Sequence, residues 1–183
     1  IPQVNAQGKK YRGRMLRADD AINLFAGNIT TCCQKFGDAG EASMLHGSTE
    51  KNGGIFVVEE LDEKGKVKKV GQSWTWRNKD RVCFDNIEIS DVERQEITEE
   101  DEKEIMDIYI AAGKNAIETD VKVMEKLLNE GKINQQVYDA VVLKDVVVGT
   151  GYNDLSELRD RIDKGELVKA GSVVLPKEKS KTY

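Results

Sequence analysis

The sequence predicts an α+β fold, a mixed sheet flanked by helices, on three observations. Gly54-Ile55-Phe56-Val57-Val58-Glu59-Glu60-Leu61 is β-branched and aromatic, and the strand pattern resumes over Val67 to Trp76 and again over Val82 to Ile89. Turn chemistry at Asp62-Glu63-Lys64-Gly65 separates the first two of these segments. Thr98-Glu99-Glu100-Asp101 then offers a hydroxyl and a carboxylate at the spacing that caps a helix start.

Taken in order, residues 1–13 read as a loose polar arm, although Tyr11 to Leu16 also has the pattern of a short first strand. Ala18-Asp19-Asp20 opens a helix that Asp19 or Asp20 can cap, with Ile22, Leu24, Phe25 and Ile29 as its apolar contacts and Gly27-Asn28 weakening it. Cys32-Cys33-Gln34-Lys35-Phe36 ends that helix, Gly37-Asp38-Ala39-Gly40 turns the chain, and Glu41 to His46 forms a further short helix. Beyond the three strand segments, Ile105, Ile108, Tyr109, Ala112 and Ala116 recur at helical spacing, and Ile117, Val121, Met124 and Leu128 extend the stripe. This is one long amphipathic helix or two abutting ones. Gly131-Lys132 stops it, Asn134 caps a short helix through Tyr138, and Val141 to Val148 is a β-branched strand. Asn153 or Asp154 caps a last helix carrying Leu155, Leu158 and Ile162, and Val173-Val174-Leu175 adds a final strand. One domain is expected over residues 14–175, followed by a basic tail, 176–183, that reads as a solvated end.

Composition removes several function classes. A chain of 183 residues suits one well-buried domain, and a net charge of −5 with 33% charged residues gives no basic surface for bulk nucleic-acid binding. No apolar run approaches the roughly 18 residues of a membrane span. No membrane partner is therefore expected, and without a signal peptide the cytoplasm is the expected location. Cys32, Cys33 and Cys83 are an odd number with two adjacent, which suits neither a disulfide framework nor a metal clip, so reduced thiols and no metal are expected. The chain opens on Ile rather than Met, which fits a processed product or a domain of a larger polypeptide whose other domains would be its partners.

Read end to end, the order strand, helix, helix, three strands, long helix, strand, helix, strand is similar to that of the GNAT acyltransferase superfamily over nearly the whole chain. Met15-Leu16-Arg17-Ala18-Asp19-Asp20-Ala21 resembles its opening strand and first helix. Phe56-Val57-Val58-Glu59 and Val70-Gly71-Gln72-Ser73 resemble the second and third strands, and Cys83-Phe84-Asp85-Asn86-Ile87-Glu88-Ile89 the fourth. Val146-Val147-Val148 with Asn153 resembles the fifth strand and the helix after it. The resemblance implies a GNAT-like central mixed sheet and an acyl-CoA-dependent N-acyltransferase using acetyl-CoA, with a small-molecule or peptide amine as acceptor. It places the pantetheine arm on the backbone of Ile87, Glu88 and Ile89, where the fourth strand splays from the fifth, with Asn153 also at the cofactor. It places the pyrophosphate at the N-terminus of the long helix, where Arg94 would have to reach over it. Glu88 is then either the general base or a solvent-facing strand glutamate. Asp160 stands where the family often has its general-acid tyrosine, which leaves Tyr152 as the candidate substitute.

The chain departs from the family after Ile89. The Gly-rich phosphate loop is absent, and residues 91–104 hold eight carboxylates against Arg94 and Lys103, competing with any phosphate for the field of the helix start. Gln34-Lys35-Phe36-Gly37-Asp38-Ala39 carries the loop's letters but precedes the hairpin, where the family does not place it. A second expectation therefore stands beside the enzyme: a GNAT-like domain without catalysis, serving as a binding or accessory module of a larger protein. A further similarity, over about Cys32 to Ile89, is to plasmid and phage conjugation-associated proteins and implies a bacterial mobile-element setting.

Three other groups invite chemistry. Trp74 and Trp76 alternate along a strand, so both indoles share a face, where they either pack against the long helix or line a substrate groove. Asp85 beside Asn86 is a candidate for orienting a polar substrate. Cys32 or Cys33 with His46, the single histidine, is either a nucleophile pair or two buried thiols and a helix-end imidazole.

Overall fold

The computed structural model describes residues 5–49, 51, 53–64, 67–85, 87–90, 95–148, 167–170 and 173–176. Strands β1 (Asn5–Gln7) and β2 (Tyr11–Met15) are followed by helices α1 (Ile22–Ile29) and α2 (Glu41–Thr49). Strands β3 (Gly53–Leu61), β4 (Val67–Asn78), β5 (Arg81–Phe84) and β6 (Glu88–Ile89) lead to helix α3 (Glu99–Asn129). Helix α4 (Gln135–Val141) and strands β7 (Asp145–Val148), β8 (Leu167–Ala170) and β9 (Val173–Pro176) complete the order. All nine strands form one mixed sheet in the order β1-β2-β3-β4-β5-β7-β9-β8, with β6 also on β4. Pairing is antiparallel from β1 to β5 and turns parallel at β5–β7 and β7–β9.

The sheet is covered on both faces, which is why β3 reads as an unbroken apolar run rather than an alternating one. Phe56, Val58, Val82, Phe84, Val146 and Val148 face α3, where Ile105, Ile108, Tyr109, Ala112 and Ala116 form the helical stripe expected from their spacing. Ile55, Val57, Cys83 and Val147 turn the other way and pack with Leu16, Ala26, Trp74 and Trp76. Phe56, Phe84 and Tyr109 meet edge-on, with ring centroids 4.9–5.3 Å apart. Gly13 lets β2 pass beneath this cluster, because a Cβ there would collide with the Phe56 ring and Ile108.

α3 is a single helix of 31 residues, opened by a capping box between Thr98 and Asp101. It closes at Gly131, whose φ of +67° suits glycine and whose N–H donates to Leu128 O at 3.0 Å. Asn134 caps α4 through Val137 N, as expected. Arg77 on β4 ties α3 to the sheet through Asp120, at 2.8 Å from Nη1 and 3.3 Å from Nη2. The same carboxylate accepts Leu143 N at 2.8 Å, and Arg77 Nη2 also donates to Val141 O.

Four expectations are corrected. Residues 5–13 belong to the sheet's first edge rather than to a loose arm, because β1 and the start of β2 pair in register from Asn5↔Arg14 to Gln7↔Arg12. α1 buries Asn23, Ala26 and Gly27 instead of the large residues, leaving Phe25 and Ile29 about half exposed. The small face lets the following loop lie directly on the helix. The segment from Val141 is helical at its start, and β7 begins only at Asp145, because α4 runs on past Tyr138. Trp74 and Trp76 do share a face and stack at 4.3 Å, but that face is the one away from α3. The expected last helix at 153–162 lies outside the described residues.

Candidate functional site

The segment expected as one strand from Val82 to Ile89 is broken at Asp85. Between the pairs Thr75↔Phe84 and Gln72↔Glu88, β4 advances three residues while its partner advances four. One extra residue therefore sits between Phe84 and Glu88, a β-bulge. β5 ends there beside the end of its parallel neighbour β7, whose register with it closes at Phe84↔Val148. In the strand ladders of the described residues, β6 beyond the bulge pairs with β4.

Asp85 is fully buried at this bulge and is pinned from both faces of the sheet. Its N–H donates to Trp74 O at 2.9 Å, and its carbonyl accepts Ser73 Oγ at 3.1 Å from the α3 side. Because the Ser73 proton is committed to a carbonyl, which only accepts, the Tyr109 hydroxyl 3.0 Å away must donate to Ser73. Burial pushes the Tyr109 phenol up, so it remains a donor. From the opposite face, Gln34 Nε2 reaches Asp85 Oδ2 at 3.4 Å.

Gln34 comes from the loop between α1 and α2, which is held close by small residues. Thr31 adopts a left-handed φ of +56°, and Cys32 N donates to Gly27 O at 2.8 Å. A Cβ at Gly27 would overlap the Gln34 carbonyl, and one at Gly40 would press on the Cys33 backbone. Gln34 N donates to Cys32 Sγ at 3.3 Å, and Gly40 N to Cys33 O at 3.1 Å. The loop is a fixed strap that lowers one amide side chain onto the bulge.

That amide continues a directed chain. Gln34 Oε1 accepts Gln72 Nε2 at 3.5 Å, and Gln34 and Gln72 are 2% and 0% exposed. A carboxylate accepts only, so Asp85 fixes which end of Gln34 faces it, and Gln34 in turn fixes Gln72. Gln72 Oε1 is left buried at the end of the chain without a hydrogen-bond donor.

Glu88 lies opposite Gln72 in register and therefore on the same face, while Ile87 and Ile89 lie against Gly71 on the α3 side. The alternation expected for Glu88 and its two neighbours is thus present. Glu88 is half-buried, opposite the Gln72 that bonds Gln34. Burial first, and then the Glu88 charge, push Cys32 and Cys33 up from the ordinary thiol range. Both thiols stay protonated at neutral pH, the reverse of what a Cys–His nucleophile needs. The His46 side chain lies outside the described residues, as do Arg94, Tyr152 and Asn153. Trp74 and Trp76 lie further along β4 in the core, at 1% and 5% exposure. Among the described residues no group of three His, Cys, Asp or Glu side chains is set to hold a metal ion.

The acidic start of α3 serves the fold. Thr98 Oγ1 accepts Asp101 N at 3.2 Å, and Asp101 Oδ2 accepts Thr98 N at 3.0 Å. The Thr98 backbone bond, aided by the Thr98 hydroxyl and Lys10, holds the Asp101 carboxyl down at about 2. Glu104 accepts the N–H groups of Lys10 and Tyr11 at 2.8 and 3.1 Å, fastening β2 to the helix. Asp101 and Glu104 are thus bound by their own chain.

Gln34, Gln72, Ser73 and Tyr109 escaped the sequence reading. Tyr109 was one member of a helical stripe, and Gln34 one letter of a misplaced loop motif. Gln72-Ser73 inside a strand flanked by apolar residues was the available signal, since buried polar side chains need partners. No family model, no curated protein and no solved structure matches this chain. Among the described residues no helix is long and apolar enough to cross a membrane.

Proposed function

We propose that this chain is an acyl-CoA-dependent N-acyltransferase domain with an altered cofactor site at the carboxyl ends of β5 and β7. The observation that carries this is the bulge at Asp85, where the sheet turns from antiparallel to parallel and β6 parts from the β5–β7 register. Ligands of open sheets collect at the carboxyl ends of parallel strands where the topology switches. The resemblance puts the pantetheine arm at the same strand pair, on the backbone of Ile87, Glu88 and Ile89. Acetyl-CoA would supply the thioester acyl group there. Glu88, half-buried beside the strap, is the residue suited to take the proton from an acceptor nitrogen.

The helix start does not fit the pyrophosphate. The N–H groups of Thr98 and Asp101 are engaged by the capping box, and Glu99, Glu100 and Glu102 surround it. This favours a second reading, a binding module of a larger polypeptide that keeps the fold without the chemistry. Calorimetric titration with acetyl-CoA at low salt, on the natural chain and on a Glu99→Gln/Glu100→Gln/Glu102→Gln variant, separates the two. Micromolar binding by the natural chain is expected for the enzyme. Binding by the variant alone would mean that the acids have closed a usable site, and no heat from either would leave the module.

A further inference from the structure

We propose that the outer edge of β1 takes an extended acidic peptide of a partner chain as an added strand, with its glutamates toward Arg12 and an apolar residue between them toward α3. The register of the first hairpin decides which main-chain groups are open. Gly8 N donates to Tyr11 O at 2.8 Å, so Gly8↔Tyr11 is a hydrogen-bonded pair, and alternation makes Ala6↔Gly13 the next. Leu61 N donates to Lys10 O at 3.1 Å, and the same alternation along β2 directs the main chain of Arg12 to β3 and that of Gly13 to β1. The main-chain groups of Asn5 and Gln7 therefore point away from β2. Asn115 Nδ2 takes Asn5 O at 2.9 Å, and among the described residues β1 has no second strand neighbour. Asn5 N–H, Gln7 N–H and Gln7 C=O are left for a partner, the groups that a strand added to a sheet edge uses.

Side-chain alternation assigns the chemistry of the partner. Two cavities adjoin β1 and share Ala6 and Gln7. The first, about 350 Å³, is lined by Asn5, Gln7, Arg12 and Arg14. There the buried Glu59 is shared by both guanidiniums, Asp20 bonds Arg14 alone, and among the described residues Arg12 donates only through Nε, at 2.9 Å. The two terminal nitrogens of Arg12, whose side chain is 37% exposed, are open to an anion. An added strand lies two strand spacings, roughly 10 Å, from β2, which favours glutamate over the shorter aspartate. The second cavity, about 420 Å³, lies between β1 and α3, where Ala6, Ile108 and Ala111 meet charges of both signs such as Lys103 and Asp107. A partner residue opposite Ala6 shares its face, the face packed against the α3 core, and an apolar side chain suits it. A second copy pairing through its own β1 would present Asn5, Ala6 and Gln7 and bring no anion to Arg12. The site stands at the first edge of the sheet, apart from β5 and β7, and does not rest on acyl transfer.

The test is an amide chemical-shift titration of the full chain by NMR with the peptide acetyl-Thr-Glu-Leu-Glu-Thr-amide. Shifts are expected at Asn5, Gln7 and Ala111. Losing a hydrogen bond to a charged group weakens binding by roughly tenfold to a hundredfold, so Arg12→Gln, and a peptide with lysine for both glutamates, should each show a loss of that size. N-methylation of both glutamates, whose N–H groups would face β1, should abolish binding, and N-methylation of the leucine, whose N–H faces away, should not. Gln7→Pro removes an outward N–H and leaves the ladder to β2 intact, so it should abolish binding where Gln7→Ala retains it. Equal binding of the lysine peptide, of the glutamate-methylated peptide or by Gln7→Pro, or no shifts at β1, would overturn the proposal. A dimer that forms without peptide and is lost in Gln7→Pro would also overturn it, assigning the edge to a second copy. If Gln7→Pro does not fold, the two methylated peptides decide on the natural chain.

Discussion

The Tyr109–Ser73–Asp85 chain can be tested by a reversal of sign. Tyr109→Phe removes a fully buried hydroxyl that donates to Ser73, and Ser73 keeps its own bond to the Asp85 carbonyl. A net loss of about 1 kcal/mol is expected, the ordinary value of one hydrogen bond. Ser73→Ala is worse, because it strands the Tyr109 hydroxyl in a site with 0% exposure and takes a donor from Asp85. Adding roughly 1–3 kcal/mol for the stranded hydroxyl to about 1 for the carbonyl gives about 2–4 kcal/mol. In the Ser73→Ala background, Tyr109→Phe deletes the stranded group, so the double variant should be more stable than Ser73→Ala by about 1–2 kcal/mol. Equilibrium urea unfolding of all four proteins measures this, and in a chain of this length each kcal/mol is worth about 2–4 °C in melting temperature. If Tyr109→Phe destabilises both backgrounds equally, the hydroxyl does not depend on Ser73 and the coupling of the two hydroxyls is refuted.

Two further outcomes follow from the ion pairs. Asp120→Asn should cost about 3 kcal/mol by unfolding, since it leaves the largely buried Arg77 without its carboxylate, and Arg77→Met added to it should recover part of that loss. The Asp101 carboxyl is lowered in the folded chain from 3.8 to about 2, so its stabilisation is present above that upper value and disappears as pH falls through the lower one. The gap in urea midpoint between the natural chain and Asp101→Ala should therefore be widest near about pH 6 and shrink toward about pH 2, and a gap that grows on acidification would refute this.

Legibility of the fold followed periodicity. The stripe from Ile105 to Ala116 and the runs in β3 and β4 were plain because burial on a regular element leaves a regular trace. Thr98, Gly131 and Asn134 were legible for the same local reason, each solving a helix-end problem within three residues. α1 misled because it packs through Ala26 and Gly27, where closeness of backbone rather than apolar area decides the contact. The bulge was invisible for a different cause. One extra residue between Phe84 and Glu88 is defined only against β4, and nothing in either segment alone records the register of the other. Gln34 and Gln72, 38 positions apart, become a pair only through that register.

The polar chain at the bulge is not demanded by packing. A few residues along the same face of β4, Trp74 and Trp76 with Ile55, Val57 and Val147 show that apolar side chains cover this surface well. Gln34, Gln72 and Asp85, by contrast, are closed from solvent at 2% exposure or less and hold one another through bonds of 3.4–3.5 Å, at the long end for hydrogen bonds. A core that spends desolvation on weak bonds is less stable than one filled with leucine and isoleucine. That polarity lies beside Phe84↔Val148, the last described pair of the β5–β7 register. The bulge in the β4 register and the buried polar side chains thus fall in the same part of the sheet.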